Sequence, residues 1–183
     1  LVFYKFIYSL EEEILEIIKE LLEVESISSL CITSPNLRMD SPEHLKNARP
    51  MHQDSAYFQE VRQDGKGLVA WIPLCETSKE LGSISVINKS HKNGFIEPHS
   101  IASKDLTSEQ HLIPEKYIKK NEEEIIDASP GDICLMHYDL IHGTFPSIID
   151  NNPYARFTGI VRFTSNEAIN YKPIRYKTDY LNY

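Results

Sequence analysis

No run of apolar residues in this 183-residue chain approaches the roughly 20 that a bilayer-spanning helix needs, so no membrane partner is expected. Basic residues are scarce as well. Nineteen Lys and Arg face 27 Asp and Glu, for a formal charge of −8 and a pI near 5.4. The nearest approach to a basic cluster is Lys119-Lys120, and Glu122, Glu123 and Glu124 follow it almost at once. Phosphate backbones are gripped by clustered Lys and Arg, so nucleic acid is not an expected partner. Cysteine is limited to Cys31, Cys75 and Cys134, an odd and widely spaced set. That suits reduced thiols in a cytoplasmic protein better than a disulfide framework, and the apolar surroundings suit small buried side chains better than a zinc site. The opening LVFYKFIYSL has no initiator Met and no small-residue cleavage site. The expectation is a single domain over residues 1–183 that lacks part of its N-terminus. What remains is an ordinary globular balance, 41% hydrophobic and 25% charged, in a chain long enough to bury a core.

One helix is legible. Ser9 precedes Glu12 by three residues in a capping-box pattern, and Leu10, Ile14, Ile17, Ile18, Leu21 and Leu22 recur at helical spacing, predicting a helix from about Leu10 to Glu23. Runs rich in Ile, Val, Phe, Tyr and Thr then predict strands at Leu30–Thr33, Leu68–Leu74, Ser83–Asn88, Asp132–His137, Ile141–Phe145 and Arg156–Thr164. Turn signals such as Leu81-Gly82, Asn93-Gly94 and Pro130-Gly131 punctuate them. Many short strands behind one helix imply a mainly β fold, a sandwich or jelly-roll barrel. Residues 95–127 are polar and charge-rich, and read as a lid-like insertion.

Three segments carry candidate chemistry. In His52-Gln53-Asp54, alternation along an extended chain points the imidazole and the carboxylate to one side. In a chain with seven His, that triplet alone is weak. The second segment is the strand Gly131–His137 and its apparent antiparallel return, Leu140–Thr144. It offers His137 and His142, and Gly143 leaves room beside the latter for a ligand. The third is the strand opening at Arg156. Alternation puts Arg156, Thr158, Ile160 and Arg162 on one face and Phe157, Val161 and Phe163 on the other. A guanidinium inside a barrel needs a partner, and a planar carboxylate suits it. Two His and one carboxylate with coordination positions left open is the donor set of non-haem Fe(II) oxygenases.

Together, ARPMHQDSAYF, GLVAWIPLCETSKELGSISVINKSHKNG, SPGDICLMHYDLIHGTFPS and ARFTGIVRFT resemble the phytanoyl-CoA dioxygenase family in order and approximate spacing, from about Arg49 to Phe163. The resemblance implies a double-stranded β-helix (a jelly-roll, cupin-like barrel) with a flanking N-terminal helix, Fe(II) as metal, and 2-oxoglutarate and dioxygen as cosubstrates. It also implies that His52, Asp54 and His142 bind the metal, His142 being preferred over His137. Arg156 would take the distal carboxylate of 2-oxoglutarate with help from Thr144, and Arg162 is the fallback because the interval from His142 to Arg156 is long for the family. Trp71 stands where the family has an aromatic residue near the cosubstrate, and Arg38 or Asn36 is placed in the wall of the same pocket. His91 is not a ligand in the family pattern and reads as a turn residue, while His44, His99 and His111 read as solvated. Met51 and Tyr57 are expected to shape the pocket.

The implied reaction is hydroxylation of an unactivated C–H bond of a small metabolite, with release of succinate and CO2. Retention of the Asp54 carboxylate favours hydroxylation over halogenation. Two rival readings share the barrel. A cupin-type isomerase or epimerase would have no need of 2-oxoglutarate or an inward Arg156, and a binding domain would have kept the motif without the activity.

Overall fold

The computed structural model describes residues 12–42, 48–58, 66–101, 110–165 and 174–175. The helix α1 spans Glu12–Leu21, and the capping box at Ser9 lies outside the described residues. Its core face is Leu15, Ile18 and Leu22, whereas Ile17 and Leu21 are 51% and 56% exposed. The sequence pattern therefore set the right element but a rotated face. A run this rich in aliphatics offers more than one apolar stripe, and packing chooses between them.

The strands are β1 (Leu30–Asp40), β2 (Gly67–Pro73), β3 (Ser83–Ile87), β4 (His99–Ile101), β5 (Gln110–Leu112), β6 (Glu123–Ile125), β7 (Cys134–His137), β8 (His142–Phe145), β9 (Arg156–Ser165) and β10 (Ile174–Arg175). They form a large sheet ordered β10-β1-β9-β2-β7, a small sheet ordered β6-β3-β8, and a separate β4-β5 pair, with every pairing antiparallel. The chain around His52 bridges β8 and so extends the small sheet. From β6 to β9 successive strands alternate between the two sheets, the winding of a double-stranded β-helix. For that reason β7 and β8 do not pair as the hairpin their sequence suggests: β7 joins β2, and β8 joins β3.

β2 is buried along its whole length, which explains its unbroken apolar run. Leu68, Ala70 and Ile72 pack under α1 with Leu30, Ile32, Val161 and Phe163. Val69 and Trp71 face the small sheet, against Ile84, Val86, Met136 and Ile160. A third cluster, Ile87, Ile96, Ile113 and Ile141, sits at one end with Met51 against it. Ile96, Ile113 and β6 all belong to the segment expected to be a lid, so much of that segment is built into the body of the protein.

β1 runs seven residues beyond its predicted end, and its register against β9 slips between Thr33 and Asn36. Thr33 pairs with Arg162 while Asn36 pairs with Ile160, so β1 carries one extra residue there. This β-bulge at Ser34-Pro35 switches the side-chain parity. Before it Leu30 and Ile32 face α1; after it Asn36, Arg38 and Asp40 face the interior cavity. Among the described residues no helix is long and apolar enough to cross a membrane.

Phe163 is fully buried between α1 and the large sheet. Phe163→Ala is expected to cost about 3–5 kcal/mol in urea unfolding followed by circular dichroism.

Candidate metal centre

The small sheet sets the first geometry. His52 donates its backbone N–H to the His142 carbonyl at 2.9 Å, and His142 returns the bond at 3.0 Å. The reciprocal pair brings the two rings to 4.3 Å between centroids. Each ring is then held in the same way. His52 Nδ1 lies 2.7 Å from the Pro50 carbonyl and His142 Nδ1 lies 2.9 Å from the Leu140 carbonyl. A carbonyl can only accept, so both Nδ1 atoms carry the proton and both Nε2 atoms present a lone pair. Asp54 enters just after, at the start of a short 3-10 turn, Asp54–Ala56. Its Oδ1 stands 3.5 Å from His52 Nε2 and 4.0 Å from His142 Nε2, while Oδ2 accepts from Arg162 Nε at 2.8 Å.

All three ligand atoms lie within 4.8 Å of one another, and all three residues are buried. Two ligands each about 2.1 Å from one ion stand at most about 4.2 Å apart, so the Asp54–His separations fit a shared ion. The donor set, two neutral imidazoles and a carboxylate, suits Fe(II) with open positions. The remote atoms of all three ligands are tied to the protein, as a preorganised site requires.

Electrostatics favour the ligating forms. Burial alone would push the Asp54 carboxyl upward, but Arg162, His52 and His142 overcome it and hold Asp54 well below the ordinary carboxylate range. Burial lowers His142 to about 4, helped by the adjacent His52 and opposed by Asp54 and the Leu140 carbonyl, so the ring is neutral at pH 7.

Gly143 has a different reason from the one its sequence suggests. A Cβ there would meet Met51 N at 3.1 Å, Arg49 O at 3.2 Å and Pro50 C at 3.2 Å. The space a side chain would need there holds the backbone that carries His52. Gln53, fully buried between the two ligands, anchors the same segment: Nε2 donates to the Gly94 and Asp139 carbonyls at 2.9 and 2.7 Å, and Oε1 accepts from Ile96 N at 2.8 Å.

Beside the ligands lies a partly enclosed space of about 40 Å³, which shares walls with an open cleft of about 510 Å³. Trp71, Thr144, Arg38, Arg156 and Arg162 all line the inner space, and Asn36 and Tyr57 line the cleft. Thr144 Oγ1 accepts from Arg49 N at 2.9 Å. Arg156, 8% exposed, donates Nη2 to Asp40 Oδ2 at 2.8 Å and Nη1 to the Ser83 carbonyl, while its Nε has no hydrogen-bond partner. Thr158 Oγ1 is likewise buried without one. Two orphaned donors facing one cavity mark a place for a polar guest.

Asp40, Arg49 and Gln53 escaped the sequence reading, and Thr158 was given a face there but no role. Thr158 was legible by alternation from Arg156, and Asp40 by alternation from Arg38 once β1 is known to continue. His137 is not part of the centre; its Nδ1 accepts from Asp139 N at 3.0 Å and its ring lies 5.6 Å from His91. His91 sits in the 3-10 turn Ser90–Asn93, and His99 is exposed. His111 is half-buried, 4.5 Å from the Tyr57 ring, and so differs from its solvated expectation. His44 lies outside the described residues.

Residues 12–148 match the family described as Phytanoyl-CoA dioxygenase (PhyH). The chain belongs to that family. A 1-deoxypentalenic acid 11-beta-hydroxylase of Streptomyces exfoliatus is 28% identical over 106 residues, covering 56% of this chain and 36% of the relative. A phytanoyl-CoA dioxygenase of Arabidopsis thaliana is 27% identical over 104 residues, covering 57% and 35%. The chain thus spans about a third of the length of these curated relatives. Among solved structures, EvdO2 from Micromonospora carbonacea var. aurantiaca complexed with 2-oxoglutarate aligns with a TM-score of 0.66 at 19% identity, covering 83% of this chain and 58% of that one. EctD from S. alaskensis with 2-oxoglutarate and 5-hydroxyectoine gives 0.62 at 15%, covering 86% and 51%. These two likenesses establish the fold that this PhyH-family chain shares with them.

Gly143→Ala is expected to push the Arg49–Met51 backbone away from β8 and weaken Zn(II) binding about tenfold while costing about 1–3 kcal/mol of stability, as read by metal titration and urea unfolding. For pH, the folded His142 value lies below the ordinary 6.5, so the unfolded chain takes up that proton more readily. Metal-free protein should therefore lose on the order of 3 kcal/mol as pH falls from about 6.5 to about 4. The Asp54 contribution disappears only at lower pH. Urea unfolding in chelator at several pH values checks this, and His142→Asn should flatten the slope.

Proposed function

We propose that this PhyH-family chain is a non-haem Fe(II)- and 2-oxoglutarate-dependent oxygenase that hydroxylates an unactivated C–H bond of a small molecule. The observation that carries the reading is the convergence of two Nε2 lone pairs and Asp54 Oδ1 on one point beside a cavity lined by Arg156. When bound, Fe(II) with 2-oxoglutarate couples loss of CO2, leaving succinate, to transfer of an oxygen atom from dioxygen to a C–H bond. The 1-deoxypentalenic acid relative, by its name a hydroxylase, supports hydroxylation as the outcome.

Each residue has a task that follows from its contacts. His52, Asp54 and His142 would hold the metal, and the Pro50 and Leu140 carbonyls fix the ring planes in which the lone pairs lie. Arg162 holds Asp54 by Oδ2, which keeps the carboxylate ionised and leaves Oδ1 toward the metal. Arg156 would bind the distal carboxylate of 2-oxoglutarate through its orphaned Nε, with the Thr158 and Thr144 hydroxyls as further donors. Arg162 is less suited to that task because its Nε is committed to Asp54. Arg38 and Trp71 would complete the wall, with the indole excluding water from one side. Parts of residues 95–127 are tied to the chain around the first ligands: Ile113 N bonds the Met51 carbonyl at 3.0 Å and His111 N bonds Tyr57 Oη at 3.1 Å. This segment would govern which substrates enter.

The test is anaerobic titration of metal-free protein with Fe(II) and then 2-oxoglutarate, following the weak visible charge-transfer band of the chelate. Wild type should develop the band and His142→Ala should not. Arg156→Ala should need at least about tenfold more 2-oxoglutarate, as befits loss of a charge-assisted bidentate contact. Metal binding with no band at any 2-oxoglutarate concentration would instead indicate a cupin-type metal enzyme that does not use this cosubstrate.

A further inference from the structure

Arg156 is held by the protein on two of its three nitrogens. Nη2 donates to Asp40 Oδ2 at 2.8 Å and Nη1 donates to the Ser83 carbonyl, while Nε is buried without a hydrogen-bond partner. Asp40 belongs to β1 in the large sheet and Ser83 to β3 in the small one, so the guanidinium is braced across both. Asp40 stands directly opposite Arg156 in the β1–β9 register. Its other oxygen, Oδ1, accepts from Arg38 Nη2 at 2.8 Å, which orients the carboxylate from its far side. Two residues along the same face of β9, Thr158 Oγ1 is also buried without a partner. Asp40, Arg156 and Thr158 all line the inner space beside the metal ligands.

We infer that Asp40 is the positioning residue of the cosubstrate site: it turns the Nε side of Arg156 inward and so sets the length of 2-oxo diacid accepted. This role rests on the oxygenase reading above, in which Arg156 takes the distal carboxylate. A guanidinium is planar and can offer a carboxylate more than one pair of donors. A loosely held one would turn to suit diacids of several lengths. Here Asp40 and Ser83 fix the plane, and the nitrogen left for a guest is Nε, on the same strand face as the Thr158 hydroxyl. The two donors lie at one depth from the metal. A diacid one carbon shorter falls short of them, and one carbon longer overruns them. The ordering of a long side chain, which binding would otherwise have to bring about, is already complete in the folded protein. By charge alone the Asp40 carboxylate opposes any anion in the cavity. Its removal therefore tightens anion binding if charge is its main effect, and weakens diacid binding if position is.

The test uses Trp71, the only tryptophan, as a fluorescent reporter in the cavity wall. The chain loaded with redox-inert Zn(II) is titrated with 2-oxoglutarate and with its shorter and longer homologues, oxaloacetate and 2-oxoadipate. Pyruvate, which keeps the chelating 2-oxo acid and lacks a distal carboxylate, is the control. Wild type should favour 2-oxoglutarate over either homologue by at least about tenfold. Asp40→Asn should weaken 2-oxoglutarate about tenfold and bring the three diacids to within about threefold of one another, with pyruvate changed less than about twofold. In an Arg156→Gln background Asp40→Asn should weaken 2-oxoglutarate no further, because the residue it acts through is gone. Should Asp40→Asn not fold, Asp40→Glu keeps the charge and displaces the acceptor by one methylene; it should cost 2-oxoglutarate about fivefold and pyruvate nothing. Equal binding of the three diacids by wild type overturns the inference, as does unchanged or tighter 2-oxoglutarate binding by Asp40→Asn. Parallel loss of pyruvate would assign Asp40 a merely structural role, and a further loss in the Arg156→Gln background would show that it does not act through Arg156. All of these leave the cosubstrate reading standing. Failure of wild type to bind 2-oxoglutarate at all would overturn that reading and the role of Asp40 with it.

Discussion

The two backbone hydrogen bonds exchanged between His52 and His142 are the interaction on which the rest of the site depends. They join residues 90 positions apart and set the two imidazole rings side by side. Their closeness dictates Gly143, because any larger residue would press on the backbone of Arg49, Pro50 and Met51. It also dictates that Gln53 turn inward, where a fully satisfied amide ties the ligand segment to the chain at Gly94, Ile96 and Asp139. A metal centre of this kind is a by-product of sheet register made rigid by a few side chains.

Around that centre, charge is arranged in pairs that cross the large sheet. Asp40 lies directly opposite Arg156 in the β1–β9 register, and Arg38 lies opposite Thr158. One carboxylate therefore serves two guanidinium groups, Arg38 through Oδ1 and Arg156 through Oδ2. Paired in this way, buried Arg156 is tolerable in the folded protein, and its Nε still faces the cavity. The second carboxylate, Asp54, is divided in the same manner: one oxygen meets Arg162 and the other meets the imidazoles. Both acids work through the separate directions of their two oxygens, which amides could not match in charge.

A single extra residue in β1 makes this possible. Without the bulge between Thr33 and Asn36, strict alternation would put Arg38 and Asp40 on the same face as Leu30 and Ile32, under α1. Pro35 is the visible sign of the break, since it cannot donate to the ladder. A proline in a predicted strand is ordinarily taken as its end, and here it marks a change of face.

Much was legible in the chain itself, because it rests on local rules. Alternation along β9 separated Arg156, Thr158, Ile160 and Arg162 from Val161 and Phe163, and the structure turns the first set to the cavity and the second toward α1. The two-residue spacing of His52 and Asp54 correctly put both side chains on one side. Short strands punctuated by turns were enough to announce a mainly β fold, with sandwich and barrel both open until the family resemblance chose the barrel. What needed the tertiary structure were matters of pairing between distant segments: that β7 and β8 lie in different sheets, that Gly143 makes room for backbone, that Ile17 and Leu21 face solvent, and that Asp40 meets Arg156. Side-chain periodicity is a property of a strand alone, so the sequence carries it directly. Register, face and charge partner are properties of two strands at once, and they are settled only when the whole barrel closes.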